Sequence, residues 1–297
     1  MEPLEDYLRQ QQQRVEQRLN TLLPALDSYP PVLMDAIRYS VFAGGKRLRP
    51  ILLLAATEAV GGNPTAVLPA ACALEYIHTY SMIHDDLPAM DNDTYRRGKL
   101  TNHMVYGDAM AILAGDALLT HAFEVLHSPP LVDCFPPELL GRVTYRLARA
   151  AGSFGMIGGQ VVDILSEGQQ VELETLEYIH CHKTAALIEA AVTIGALLGG
   201  GTPAQVQALE QYGHCLGWAF QITDDILDVE GDATLLGKAV GRDAQQKKVT
   251  YPALLGLEAS RQRTVELMQQ GVSALALFAD RAERLRQIAA YVVTRNV

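Results

Sequence analysis

Apolar residues recur at three- and four-residue spacings along nearly all of this 297-residue chain, and no stretch sustains the two-residue alternation of a half-buried strand. The pattern predicts an all-α fold. Residues 4–22 read as a polar amphipathic helix with Leu4, Leu8, Val15, Leu19 and Leu22 as its narrow apolar stripe, and Pro24, Pro30 and Pro31 interrupt the segment after it. A second helix covers 32–43, Pro50 opens a third over 51–60, and Gly61-Gly62-Asn63-Pro64 breaks it. The long apolar segment from Ala70 then runs to Asp86, where Pro88 stops it. Further helices are predicted over 103–127, 138–151, 155–166, 172–199, 204–229, 252–269 and 273–296. Apolar periodicity resumes at once on both sides of the proline-rich stretch 129–137, which makes it a loop rather than a linker, so residues 1–297 are read as one domain.

Composition narrows the function. With 49% hydrophobic and 20% charged residues the chain can bury a sizeable core, and a net charge of −10 argues against a nucleic-acid surface. Cys72, Cys134, Cys181 and Cys215 form no CxxC pair and each lies in an apolar helical context, which predicts buried free thiols and a reducing cytoplasm. The acidic N-terminus lacks the basic and apolar regions of a signal peptide. The run from Ala185 to Gly201 is interrupted by Glu189 and ends in glycines, so it is expected to be a core helix and no transmembrane segment is predicted.

The chemistry is concentrated in two acidic clusters. Asp85 and Asp86 close the long helix, Asp91 and Asp93 follow, and Arg96-Arg97-Gly98 comes next. Carboxylates at a helix C-terminus sit at the wrong end of the macrodipole unless a cation compensates. Oxygen ligands without nearby cysteine suit Mg²⁺, which fills its shell with water and phosphate oxygens, while adjacent arginines fit phosphate as forks. A second cluster, Asp224-Asp225-Ile226-Leu227-Asp228, places Asp224 and Asp228 one turn apart on one helix face, so two acidic helices could serve one cavity. Gly44-Gly45-Lys46-Arg47-Leu48-Arg49-Pro50 adds a basic turn at a helix N-terminus, a second anion pocket by its chemistry. His78 lies two turns before Asp85 on the same face, and Lys183 enters an apolar helix where a buried ammonium needs an anion.

Together these motifs resemble the trans-isoprenyl diphosphate synthases, bacterial-type farnesyl diphosphate synthases above all. The resemblance rests on Asp85-Asp86-x4-Asp91 with Arg96-Arg97-Gly98, on Asp224-Asp225-x2-Asp228, and on Gly44 to Pro50, Gly158-Gly159-Gln160-x2-Asp163, Lys183-Thr184 and Gly237-Lys238 in order and spacing. It covers nearly the whole chain. It implies a single all-α bundle around a deep central cavity, paired as a homodimer, and a reaction that joins isopentenyl diphosphate to an allylic diphosphate with loss of pyrophosphate.

Carried over by residue, Asp85, Asp86 and Asp91 would bind Mg²⁺ on one side of the allylic diphosphate, and Asp224, Asp225 and Asp228 on the other, with three ions in all. Arg96, Lys183, Lys238 and Lys248 would neutralise that diphosphate, and Lys46, Arg49, His78 and Arg97 would hold isopentenyl diphosphate. Lys183, Thr184 and Gln221 would surround the allylic cation. Tyr80 and Ser81, one turn before Asp85, are expected to face the growing chain, and an aromatic at Tyr80 implies a C15 product. The Asp91-Asn92-Asp93 run keeps a C20 product as the alternative. Leu100 stands where the family commonly has proline, and Lys247 leaves open which of Lys247 and Lys248 is the ligand; Arg295 is a further open position. A class I terpene cyclase would not need the basic turn, and a noncatalytic partner subunit would typically lack one of the two aspartate motifs.

Overall fold

The computed structural model describes residues 2–230 and 249–294. In chain order its α-helices are α1 (Leu4–Leu22), α2 (Pro31–Val41), α3 (Leu48–Ala59), α4 (Leu68–Asp85), α5 (Asn102–Tyr106), α6 (Asp108–Leu126), α7 (Leu131–Cys134), α8 (Pro137–Ala151), α9 (Met156–Ser166), α10 (Leu173–Ile179), α11 (Ala186–Leu198), α12 (Pro203–Glu230), α13 (Tyr251–Leu255), α14 (Leu257–Ala274) and α15 (Glu283–Thr294). A π-helical turn, His180–Ala185, joins α10 to α11, and a 3₁₀ segment, Leu275–Ala282, precedes α15. Among the described residues the one β-structure is a hairpin, β1 (Tyr95–Arg96) with β2 (Lys99–Leu100). The chain is all-α.

Contacts divide the chain into two units, one of residues up to Ile51 with Thr65–Thr144, the other of Leu52–Pro64 with residues from Tyr145 on. In the first, α4 is the central element. It buries 13 of its 18 residues, with α6, α1 and α2 packed on it. Each of its large apolar side chains, such as Leu74 and Ile77, contributes about 1.5–3 kcal/mol by leaving water. The stripe on α1 differs from the expected one: Tyr7, Gln11, Val15 and Leu19 are buried, a straight i,i+4 row, whereas Leu4, Leu8 and Leu22 are half-buried. Gln11 tolerates burial because Arg14 donates to its Oε1 at 2.8 Å. The helix expected over 103–127 is broken between α5 and α6 by Gly107, whose φ of 82° a side chain would strain.

In the second unit α12 is central, packed by α11, α14 and the π-helical turn. Leu173–Leu198, long and apolar enough to span a membrane, is 67% buried over its most apolar window, as a core helix is. Asp108–Cys134 passes the same test of length and composition and is 39% buried. All four cysteines are free. Cys72 and Cys215 are buried as expected, but Cys134 is exposed and Cys181 is half-buried. Cys134 ends the short α7, which buries Leu131 alone.

Candidate active site

The first unit assembles its chemistry where α4 ends. Asp85 is the last residue of α4 and Asp86 its C-cap, and the chain folds back so that Asp91 N–H donates to the Asp85 carbonyl at 2.9 Å. The β1–β2 hairpin carries the arginines. Arg96 pairs with Lys99 across it, so Arg97 and Gly98 form a two-residue turn with φ of 52° and 75°, the left-handed pair that a type I′ turn requires. Glycine adopts this freely, whereas Arg97 is held there at a cost of about 1 kcal/mol.

Arg96 Nε donates to Asp86 Oδ1 at 2.7 Å, and Asp93 Oδ2 lies 3.7 Å from its Nη2. Asp86 is buried; desolvation pushes its carboxyl up, and the hydrogen bond and charge of Arg96 pull it back. Arg97 crosses over Gly45, where an added Cβ would lie 2.4 Å from its Nη1, and it donates to the Gly44 carbonyl. Gly45 of the basic turn therefore makes room for the second arginine.

Half-buried His78 reports the field of this region. Burial, then the guanidinium groups of Arg49, Arg97, Arg96 and Arg47, hold its imidazole well below the usual histidine range, so it is neutral at pH 7. The excess of cations around a neutral imidazole is what an anion pocket needs. Arg47, in the middle of the basic turn, is not part of that pocket. It is buried and paired with Glu75 on α4 at 2.8 Å. Tyr80 is also buried, its hydroxyl without a hydrogen-bond partner and pushed up to about 12 by burial. Its ring meets His84 edge-on at 5.7 Å, and Ser81 Oγ donates to the His78 carbonyl at 2.9 Å.

The second unit builds another cluster on α9, the π-helical turn and α12, around a cavity of about 110 Å³. Lys183 Nζ donates to Asp163 Oδ2 at 2.6 Å, which supplies the anion expected for it. Thr184 Oγ1 donates to Gln221 Oε1 at 2.8 Å, and Gln221 Nε2 donates to Asp225 Oδ1 at 3.3 Å. Asp225 is buried, accepts the Tyr251 N–H at 2.9 Å and lies 3.4 Å from His180 Nε2. Asp224 and Asp228 are half-buried on the same helix.

Close approach explains the turn. A Cβ on Gly159 would lie 2.2 Å from the Lys183 nitrogen, and one on Gly217 would lie 2.5 Å from Ala185 Cα. A π-helical turn inserts one extra residue per turn, a feature often found at functional sites. The roles of His180, Tyr251 and the Lys183–Asp163 pair are not visible as periodicity; the signal for the last was a lysine and an aspartate in otherwise apolar helices. Lys238, Lys247, Lys248 and Arg295 lie outside the described residues.

The chain is similar to known proteins over most of its length. The family model described as polyprenyl synthetase matches residues 30–283. A geranylgeranyl diphosphate synthase of Cyanophora paradoxa is 46% identical over 98% of this chain and 96% of its own. A farnesyl diphosphate synthase of Geobacillus stearothermophilus is 49% identical over 88% of this chain and 87% of its own. The crystal structure of an FPP/GFPP synthase from Zymomonas mobilis superposes with a TM-score of 0.87 at 36% identity, covering 98% of this chain and 99% of that one.

Proposed function

We infer the product and the residue roles from one premise: this chain belongs to the polyprenyl synthetase family and is a short-chain trans-prenyl diphosphate synthase, a prenyltransferase. It condenses isopentenyl diphosphate head-to-tail with dimethylallyl and geranyl diphosphates and stops at C15 farnesyl diphosphate. Tyr80 carries the C15 reading. It is an aromatic one turn before Asp85, buried among the packing of α4 and braced by His84, so it is a rigid stop rather than a flexible one. A C20 product is the second reading, favoured by relatives named for geranylgeranyl diphosphate.

Mg²⁺ is the proposed cofactor, and the donor set fits it. Asp85, Asp91, Asp224 and Asp228 are half-buried carboxylates, and among the described residues no three His, Cys, Asp or Glu side chains converge as a closed cage. That suits an ion that takes one or two carboxylates and completes its shell with water and diphosphate oxygens. When bound, three such ions would supply positive charge to the diphosphate as it becomes a leaving group. Asp86 and Asp225, buried and hydrogen-bonded by Arg96 and by Tyr251, orient these clusters.

Arg96, Lys183, Lys238 and Lys248 are assigned to the allylic diphosphate. Thr184 and Gln221, fixed to each other, present dipoles to the cation left when the allylic C–O bond breaks. Lys46, Arg49, His78 and Arg97 hold isopentenyl diphosphate, whose double bond attacks that cation. The proton lost afterwards goes to the released pyrophosphate, so no protein base is required.

The test is incubation of radiolabelled isopentenyl diphosphate with dimethylallyl diphosphate, with and without Mg²⁺, and separation of the dephosphorylated products by length. Wild type is expected to make C15 only with the metal, and Tyr80→Ala to make longer chains. A C20 product from wild type would establish the second reading, and no condensation would point to a noncatalytic subunit.

The enzyme is proposed to be a homodimer, because α5 and α6 leave Met104, Val105, Ile112 and Leu113 between 44% and 54% exposed. Leu113→Arg should then give a monomer by light scattering; a wild-type monomer would remove the proposal. Four free thiols support a cytoplasmic location, which fractionation of source cells would check.

A further inference from the structure

Both oxygens of Asp225 are occupied by protein donors. Oδ2 accepts the Tyr251 N–H at 2.9 Å and lies 3.4 Å from His180 Nε2, and Oδ1 accepts from Gln221 Nε2 at 3.3 Å. Asp225 is 3% exposed and His180 4%. In this Asp225 differs from Asp224 and Asp228, which are half-buried.

The donors on Oδ2 are themselves fixed. Tyr251 opens α13, where backbone N–H groups lack partners within the helix, and its buried side chain donates from the hydroxyl to Glu177 Oε1 at 2.8 Å. It is therefore held at both ends, by α12 through its backbone and by α10 through its hydroxyl. His180 stacks on the same ring, with centroids 5.4 Å and planes 24° apart. Its Nδ1 is buried without a hydrogen-bond partner, so the ring proton that meets an acceptor is the one on Nε2, beside Asp225.

A carboxylate accepts hydrogen bonds and donates none, so Asp225 decides how the Gln221 amide is turned. Gln221 lies one turn before Asp225 on α12 and must present its NH2 to the carboxylate. Its Oε1 then accepts from Thr184 Oγ1 at 2.8 Å, at the cavity of about 110 Å³ that Thr184, Gln221, His180 and Asp225 all line. An amide oxygen has two lone pairs, and Thr184 takes one. Turned the other way, the amide would set its positive NH2 end where the oxygen is, and the dipole offered to a cation would change sign.

We propose that His180, Asp225 and Tyr251 are positioning residues that fix which end of the Gln221 amide faces the allylic cation. Asp225 is the clamp on that amide, and His180 and Tyr251 hold the carboxylate in place. This rests on the assignment of Thr184 and Gln221 to the cation. The second aspartate motif then divides by function, Asp224 and Asp228 serving Mg²⁺ and Asp225 serving the amide.

Asp225→Asn in the full chain keeps the size of the side chain. The Tyr251 N–H still needs an oxygen, so the new NH2 faces Gln221 and turns its amide. With dimethylallyl diphosphate and saturating Mg²⁺, kcat should fall about 10²-fold while the KM for isopentenyl diphosphate stays within about two-fold. Calorimetry should show about ten-fold weaker binding of a diphosphate analogue with an ammonium in place of the cationic carbon, and unchanged binding of the uncharged thiolodiphosphate. Adding Gln221→Glu exchanges carboxylate and amide, leaves every donor opposite an acceptor, and should raise kcat about ten-fold above Asp225→Asn alone. His180→Phe, which keeps a ring on Tyr251 and loses the nitrogen, should lower kcat about five-fold. Equal loss of affinity for both analogues, a deficit cured by excess Mg²⁺, or no gain in the exchanged pair would each overturn the proposal, and an unchanged kcat in His180→Phe would remove His180 from it. Gln221→Ala separates the two readings: full activity there would overturn the cation assignment itself, whereas a deficit there with none in Asp225→Asn would overturn only the clamp. Where Asp225→Asn alone does not fold, the exchanged pair is compared with Gln221→Ala, and a kcat no higher than in that variant overturns the proposal.

Discussion

Glu75→Ala is expected to lower the stability of the fold by about 3–5 kcal/mol, the cost of stranding one member of a buried ion pair. Glu75 sits in the middle of α4 with its side chain 3% exposed, and its partner Arg47 is 1% exposed. Arg47 also donates to the Val41 carbonyl at 2.8 Å from a left-handed backbone with φ of 52°. The ion pair thus ties the basic turn to the central helix, and with it the neighbours Lys46 and Arg49. Removing the carboxylate leaves a buried guanidinium that cannot lose its charge, with only the half-exposed Glu16, 3.5 Å from its Nε, to balance it. A loss of this size is a large part of the 5–15 kcal/mol typical of a whole domain.

Calorimetry or urea titration measures the effect, and a single transition would support one cooperative domain. Glu75→Leu combined with Arg47→Met should recover most of the loss, because an apolar pair of similar volume avoids the desolvation penalty. A cost below about 1 kcal/mol for Glu75→Ala would show that the pair is not buried as described.

Lys183→Ala should leave the protein folded and reduce kcat by about 10²–10³-fold, the usual effect of deleting one preorganised charge that faces a developing anion. The KM for isopentenyl diphosphate should change little, since its diphosphate is assigned to Lys46, Arg49, His78 and Arg97. The geometry behind this is specific. The absence of a side chain at Gly159 lets α9 approach the Lys183 backbone, and Asp163 from the same helix takes the ammonium at 2.6 Å. An ammonium held by one carboxylate on a stiff turn moves little as charge grows on the leaving diphosphate. Steady-state kinetics with varied allylic substrate would decide it, and a kcat within about three-fold of wild type would remove Lys183 from the diphosphate site.

Much of the fold is legible in the order of residues. The ends of α1, α4 and α9 agree with the apolar periodicity to within two residues, because proline and glycine stop helices locally and amphipathic spacing needs no knowledge of partners. Both aspartate clusters and the basic turn are equally local features, and their residue types point toward phosphate and hard-metal chemistry at short range. The β1–β2 hairpin escaped that reading, since two-residue strands carry no periodicity to detect.

Tertiary structure decided the remainder. Three cations in four positions look alike in sequence, yet Arg47 is a buried structural ion and its neighbours are not, because only the partner on α4 distinguishes them. Six aspartates look alike too, but Asp86 and Asp225 are fastened by Arg96 and by the Tyr251 N–H, contacts that span 10 and 26 residues. The π-helical turn at His180–Ala185 exists where Gly159 and Gly217 let two other helices press against it. That packing also leaves Cys181 half-buried, where its apolar context predicted a buried thiol. The sequence by itself determined which segments are helical and which carry clustered charge. Which of those charges are paired away depended on long-range proximity, because burial and electrostatic partners are properties of the packed chain and not of any window along it.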